Sequence, residues 1–340
     1  MSVPLQSIPS FTAAEALDLA KKEYGIGAAI SPLPSERDQN FLIGDSAGKR
    51  FVLKIANLHD SPQLLDFQNE AMRRVRTTVA ECRVPRLETT LQGLEITRIH
   101  NHRSGADHCV RLLGWVDGEV LAKCESRGPA LFDSIGANMA RIDSALSGYS
   151  HPAMHRVLQW DLRRAGMARK NAGLLAPGRR SRVEGLFSLW EKIDWTALRH
   201  GVIHGDANDY NIIVDGGRMV GLLDFGDMVH SATVCDLAIA LAYAMLGEQQ
   251  PLSVAPRLIR AYQQVHALSV AEQRALYPLV LSRLAMSVCY AAHNRARNPD
   301  DPYQVVTEVA AWDLLDRLEQ VPVADVVESF GAACMAPGNQ

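Results

Sequence analysis

The 340-residue sequence predicts an α+β protein of two lobes: a smaller N-terminal lobe built on a sheet (residues 1–115) and a larger, mostly helical lobe (116–330), followed by a tail (331–340). Three observations predict it. Strand-like runs crowd residues 28–116, apolar residues at helix spacing dominate from 130 onward, and a compact hairpin at 202–226 is set into the helical part.

Thr12 and Glu15 form a capping box, Ala16, Leu17, Leu19 and Ala20 continue at helix spacing, and the helix stops near Gly25. Strands are expected at 28–31, 40–44 and 50–55, the last two joined by the turn 44–49. That turn superficially resembles a phosphate-binding P-loop. It is one residue short, has Arg50 in place of Ser or Thr and lies between strands, so it reads as a plain turn. Two more strands are expected at 94–98 and 108–116. His100, His102 and His108 fall there; no cysteine or carboxylate completes a metal site, so they read as polar hairpin residues. Leu131, Ile135, Met139, Ile142 and Leu146 mark a helix that His151-Pro152 breaks. Residues 171–182 read as a solvated basic loop and 183–193 as an amphipathic helix. Helices are expected at 255–265, 270–293 (with a break or start at Tyr277-Pro278) and 303–318, and residues 331–340 are expected to fray.

Bulk properties narrow the function. A net charge of −3 and a pI of about 6.4 give no sign of a nucleic-acid or membrane-surface partner. The six cysteines are scattered, which argues for a reducing compartment and against a disulfide framework or zinc site. No basic-then-apolar leader is read at the N-terminus, and the apolar run 237–246 is too short to span a membrane. Together these describe a cytoplasmic enzyme.

The chemistry concentrates in V-I-H-G-D-A-N-D-Y-N-I-I-V-D-G-G-R-M-V-G-L-L-D-F-G, residues 202–226. Ile212-Ile213-Val214 reads as a strand, Asp215-Gly216-Gly217 as a turn and 220–223 as the returning strand. Asp206 therefore precedes the hairpin and Asp224 follows it, at the same end. This suits phosphoryl transfer, which needs metal to neutralise charge and a carboxylate to orient the attacking hydroxyl and take its proton. Asp224 and the side-chain oxygen of Asn211 are hard ligands suited to Mg2+, leaving Asp206 for the acceptor. His-x-Asp with Asn five residues later, then Asp-Phe-Gly, is the kinase pattern.

With His204-Gly205-Asp206, Asn211 and Asp224-Phe225-Gly226-Asp227 in hand, the chain resembles the aminoglycoside phosphotransferase and choline kinase superfamily, which implies a two-lobed, protein-kinase-like fold. Gly205, where protein kinases usually carry Arg, points to a small-molecule acceptor. Lys54 alone reads as an outward-facing strand lysine. In the kinase arrangement it contacts the nucleotide phosphates and pairs with a helix glutamate, here Glu70, with Asp66 and Glu81 as competitors. Ser35, Arg37 and Asn40 lie in the turn that would cover the phosphates. Trp115 and Val116 fall where the inter-lobe hinge would meet the purine. The superfamily also implies that Asp236 fixes the catalytic-loop backbone, with His204 in support.

Glu-Arg-Asp-Gln-Asn-Phe41, the run from Phe51 to Asn57 and Trp160-Asp161-Leu162 resemble the hydroxylysine kinase branch, which also occurs fused to class III aminotransferases; this sequence reads as the kinase part alone. The branch implies ATP or GTP as donor and a hydroxylated amino acid or amino alcohol as acceptor. Alternatives are an aminoglycoside-type antibiotic kinase, a homoserine- or choline-like kinase, and an inactive nucleotide-binding regulator. Asp209 and Tyr210 lie close to where the acceptor must sit. Asp161 reads equally as a substrate contact or a helix-start carboxylate. Arg283, on one helix face with Ser287 and Tyr290, reads as a surface arginine or as a two-pronged partner for a substrate carboxylate.

Overall fold

The computed structural model describes residues 8–299 and 306–335. The chain divides into two compact units. One comprises the residues up to Arg73 with Val84–Asp117, the other Arg74–Arg83 with the residues from Gly118 onward.

The first unit opens with helix α1 (Ala13–Tyr24), capped reciprocally by Thr12 and Glu15. Strands β1 (Ala29–Leu33), β2 (Gln39–Gly44), β3 (Arg50–Ile55), β4 (Leu87–Glu88), β5 (Thr97–Asn101) and β6 (Ala106–Gly114) form one antiparallel sheet. Its spatial order is β1-β2-β3-β6-β4, with β5 also paired to β6. The two later strands lie a few residues from their expected positions, because the β5–β6 turn centres on residues 102–105. Alternation sends Phe51, Leu53 and Ile55 into a core with Phe41, Ile43, Val110, Leu112 and the α1 residues Ala16, Leu19 and Ala20. Full burial of such an aliphatic or aromatic side chain contributes about 1.5–3 kcal/mol. Lys54 lies on the opposite face of β3. Helix α2 (Pro62–Thr78) belongs to this unit as far as Arg73, and the buried Arg111 of β6 donates to the side chains of Gln68 and Asn69, at 2.7 Å each.

The second unit holds β7 (Glu119–Val120), α3 (Pro129–Leu146), α4 (Gly166–Arg169), α5 (Pro177–Trp190), β8 (His200–Ile203), β9 (Ile212–Asp215), β10 (Arg218–Leu222), β11 (Val229–Ala232), α6 (Val234–Ala244), α7 (Pro251–Val265), α8 (Val270–Arg297), α9 (Glu308–Glu319) and α10 (Val323–Met335). Three expectations need correction. The basic stretch is not a loop throughout. Pro177 starts α5 at its first position, where a missing N–H costs nothing. Arg182 is also tied to Asp316 and Glu319 rather than solvated. Pro278 does not break α8, which runs unbroken through 28 residues. The proline leaves one carbonyl without its helical donor, on the exposed Arg274, and burial of the surrounding residues outweighs that loss. Residues 331–335 complete α10, because Phe330, Ala333 and Cys334 are buried; 336–340 lie outside the described residues, as do 303–305 of the expected third helix. Helix α8 is long and apolar enough to cross a membrane, yet 94% of its most apolar window is buried within the protein.

Two small sheets position the functional hairpin: β10-β9-β7 and β11-β8. Residues 204–211 run from β8 to β9, and residues 223–228 return from β10 to β11.

Candidate active site

The β9–β10 turn uses Gly216 and Gly217, both at positive φ (55° and 70°), as a tight two-residue hairpin requires. Ile212 pairs with Leu222, and Leu223 N–H donates to the Asn211 carbonyl at 2.8 Å. The segments bearing Asn211 and Asp224 are therefore neighbours at one end of the hairpin. Beside it, Ile203 pairs with Val229, which brings the other ends of the two connections together.

His204 links those connections. It is wholly buried, its Nδ1 accepts from the Asp206 N–H at 3.2 Å, and Nε2 donates to the Leu223 carbonyl at 2.9 Å. An accepting Nδ1 fixes the neutral Nε2–H tautomer, and burial, which lowers its pKa, agrees. The ring stands edge-on to Phe225. Gly205 has φ +80°, and a Cβ there would lie 2.5 Å from the Asp227 carbonyl oxygen, so no larger residue fits. The amides of His204 and Gly205 both donate to Asp236, at 2.7 Å each.

Asp206 is held on both oxygens. Oδ1 accepts from Arg283 Nη2 at 2.7 Å; Oδ2 accepts from Asn208 Nδ2 and Asn211 Nδ2 at 2.9 Å each. Burial raises its pKa to about 7, against the opposing pull of Arg283 and with Asp227 and Asp224 adding to the rise. A carboxylate titrating near neutrality suits a general base.

Asn211 Nδ2 also donates to the Asp206 carbonyl, at 2.8 Å. With the nitrogen turned to Asp206, the amide oxygen faces away from it. Asp224, at φ 53°, is exposed and accepts the Gly226 N–H on Oδ1. An amide oxygen and a carboxylate are the hard donors that Mg2+ accepts, so these residues fit that metal.

Arg283 is not a surface residue. It is 2% exposed, with its guanidinium against the rings of Trp160 and Tyr243. It donates to Asp206, to the Trp160 carbonyl (3.3 Å) and to the Tyr243 hydroxyl (3.3 Å). Its donors brace the loop, which leaves the two-pronged substrate contact without support. Ser287 and Tyr290 do share its face: Ser287 meets the Tyr243 hydroxyl, and Tyr290 donates to the Gln159 carbonyl beneath Trp160.

Asp161 resolves to its structural reading. It caps the short turn Leu162–Arg164 by accepting the Arg163 N–H and also accepts the Ser231 hydroxyl at 2.7 Å. Asp209 differs. It is 6% exposed, its Oδ1 finds no hydrogen-bond partner among the described residues, and burial raises its pKa to about 6. Tyr210, beside it, is half-buried.

In the first unit, Lys54 is mostly buried, with Asp38 3.7 Å away. Sequence reasoning did not consider Asp38. The same residue accepts the Asn57 N–H, and Asn57 donates to the Arg37 carbonyl, so the turn bearing Ser35 and Arg37 is tied to the end of β3. Asn40 is directly opposite Lys54 in the sheet, and its buried Oδ1 has no hydrogen-bond partner among the described residues. Glu70 is half-buried on α2. The Trp115 amide is not available to a purine: the β3–β6 ladder continues past Gly114, and this N–H donates to the Arg50 carbonyl. Val116 is buried.

Sequence reasoning missed Asn208, Tyr243 and the arginine bracing. Tyr243, the one hydroxyl in the apolar run 237–246, was a signal; nothing in the sequence joins 206 to 283.

The family described as the phosphotransferase enzyme family matches residues 29–278. The hydroxylysine kinase of Mus musculus is 30% identical over 342 residues, covering 91% of this chain and 90% of that protein. Among solved structures, the amicoumacin kinase hAmiN in complex with AMP-PNP, Ca2+ and Ami superposes with a TM-score of 0.69 at 14% identity, covering 91% of this chain and 94% of that one. A microcompartment-associated aminopropanol kinase gives 0.63 at 16%, covering 93% and 94%. At these identities the structural likeness shows the fold, which is the α+β, protein-kinase-like one expected.

Proposed function

The chain belongs to the phosphotransferase enzyme family and is a kinase with a hydroxyl acceptor; we propose that this acceptor is a hydroxylated amino acid or amino alcohol of the hydroxylysine kind, with ATP or GTP as donor and Mg2+ as the metal. The observation that carries the acceptor class is the likeness to a hydroxylysine kinase over 91% of this chain and 90% of that protein. Asp209 is the loop carboxylate assigned to the substrate ammonium group: its buried Oδ1 has no hydrogen-bond partner among the described residues, and the ammonium group satisfies it when the loop opens to admit the acceptor.

Asp206 receives the proton of the acceptor hydroxyl. Arg283, Asn208 and Asn211 hold its carboxylate in one orientation, so the hydroxyl meets a base that need not reorganise. Asn211 and Asp224 would hold Mg2+, which when bound neutralises charge on the phosphoryl oxygens. Lys54 contacts the phosphates, with Glu70 or Asp38 as its carboxylate partner, and Ser35, Arg37 and Asn40 supply polar contacts from the covering turn. Most of the acceleration comes from positioning and charge stabilisation.

The test is nucleoside diphosphate release with ATP or GTP and Mg2+ across hydroxylysine, amino alcohols, homoserine, choline and aminoglycosides, with Asp206→Asn as control. Release stimulated by one amino alcohol or hydroxylated amino acid, and lost in the variant, is the expected result. Stimulation by aminoglycosides alone would replace this acceptor class.

A further inference from the structure

Asp236 fixes the catalytic loop by accepting two main-chain N–H groups, and it is wholly buried. A second acid lies against it. Asp143 is 2% exposed and sits on α3, which packs against α6, the helix that carries Asp236; the two carboxyls interact. The Tyr262 hydroxyl, from α7, donates to Asp143 Oδ2 at 2.6 Å. Among the described residues no donor reaches Asp143 Oδ1, although that atom is buried.

Two carboxylates side by side in a buried site do not both ionise; one keeps a proton. The donors decide which. Asp236 has two amides that favour its charged form, whereas Asp143 has one hydroxyl and a bare oxygen. Among the described residues, Arg199, just before β8, also acts on Asp143, and it is paired with Glu272 at the start of α8 at 2.6 Å. His266 of the same region is held neutral by burial and by Arg199.

We propose that Asp143 is a carboxylic acid whose O–H donates to Asp236, making it a positioning residue that fixes the catalytic loop through Asp236. The bare Oδ1 is then the protonated oxygen, and Asp236 gains a third donor. Burial, and then the charge of Asp236, push the Asp143 pKa well above the ordinary carboxylate range, in agreement with this assignment.

The proposal distinguishes two substitutions. Asp143→Asn keeps a donor toward Asp236 and an acceptor for Tyr262, so kcat stays within about threefold of wild type. Asp143→Ala removes both, and kcat falls about tenfold or more, the scale of one lost buried hydrogen bond. The infrared spectrum reads the proton directly. At neutral pH, the difference between the wild-type and Asp143→Asn spectra isolates Asp143 from the other carboxyl groups. A carboxylic-acid carbonyl band should persist in the wild type and vanish in Asp143→Asn. Stability depends on the same proton. The folded pKa lies above the unfolded value, so the wild type loses stability relative to Asp143→Asn as pH rises past the unfolded pKa. The Tm difference should therefore grow from pH 5 to pH 9. Absence of the acid band in the wild type, or an Asn variant as impaired as the Ala variant, overturns the assignment. The activity arm rests on the kinase reading, whereas the infrared and thermal arms need no acceptor, so the two failures are distinguishable.

Discussion

The catalytic loop is held in two different ways along its length. His204 and Gly205 are fixed through their main chain by a single buried carboxylate, and the His204 ring ties them to Leu223. Residues 206–211 are fixed through side chains, and there two carboxylates three residues apart are treated oppositely. Asp206 has a donor on each oxygen; Asp209 has an oxygen with none. The main-chain anchor keeps the loop's shape independent of the acceptor. The side-chain half separates two tasks: an immobilised carboxylate suits a base that must meet one hydroxyl, and an under-satisfied one suits recognition of a cation. Each half can be broken separately.

The largest effects should come from the immobilised half. Asp206→Asn should lower kcat by roughly 10²–10⁴-fold, the range of a lost general base, and its Tm should fall as well, because Arg283 loses its charged partner. Asp224→Ala should abolish turnover, and full activity in that variant would sink the metal assignment. Arg283→Met comes next. The Arg283–Asp206 pair has side chains 2% and 20% exposed, and removing one partner of such a pair costs about 3–5 kcal/mol. Denaturant unfolding should show that loss, and kcat should fall by about 10²-fold, as for a misplaced catalytic group. Arg283→Lys should recover little of it, because an ammonium group cannot reach Asp206, the Trp160 carbonyl and the Tyr243 hydroxyl from one plane. An unchanged kcat in Arg283→Met would show that Asp206 is positioned without it.

Asp209→Asn sharpens the contrast from the other side. It should raise KM for a cationic acceptor by about 10–100-fold, the worth of one charged hydrogen bond, with kcat and the nucleotide KM little altered. A drop in kcat at unchanged acceptor KM would move Asp209 into the bracing set and remove the distinction.

What was legible in the sequence follows the same divide. The His204-Gly205-Asp206, Asn211 and Asp224 spacing could be read because those residues lie on one continuous hairpin, whose turn and strand periodicity put both carboxylates at one end. The alternation of Phe51, Leu53 and Ile55 likewise gave β3 its bounds. Contacts across sequence distance were not legible. Asp206–Arg283 spans 77 residues and Asp143–Tyr262 spans 119, and neither partner carries a local pattern that calls for the other. The misread elements were those where tertiary packing overrides local propensity: Pro278 inside a buried helix, and the last turns of α10 held by Phe330 and Cys334.

The smallest expected effect tests whether acidity near the loop is enough to imply recognition. Asp161 is as buried as Asp209, at 7% against 6% exposed, yet its Oδ1 accepts both the Ser231 hydroxyl and the Arg163 amide. Asp161→Ala should therefore cost about 1–2 kcal/mol of stability, the sum expected from a lost cap and a buried hydroxyl bond. Both KM values and kcat should stay within about twofold. Ser231→Ala should reproduce part of the loss, and the double variant should be less than additive, because the two side chains share one bond. If instead Asp161→Ala raised the acceptor KM tenfold without lowering Tm, satisfied and unsatisfied carboxylates would serve recognition alike, and the reading of Asp209 from its bare oxygen would lose its basis.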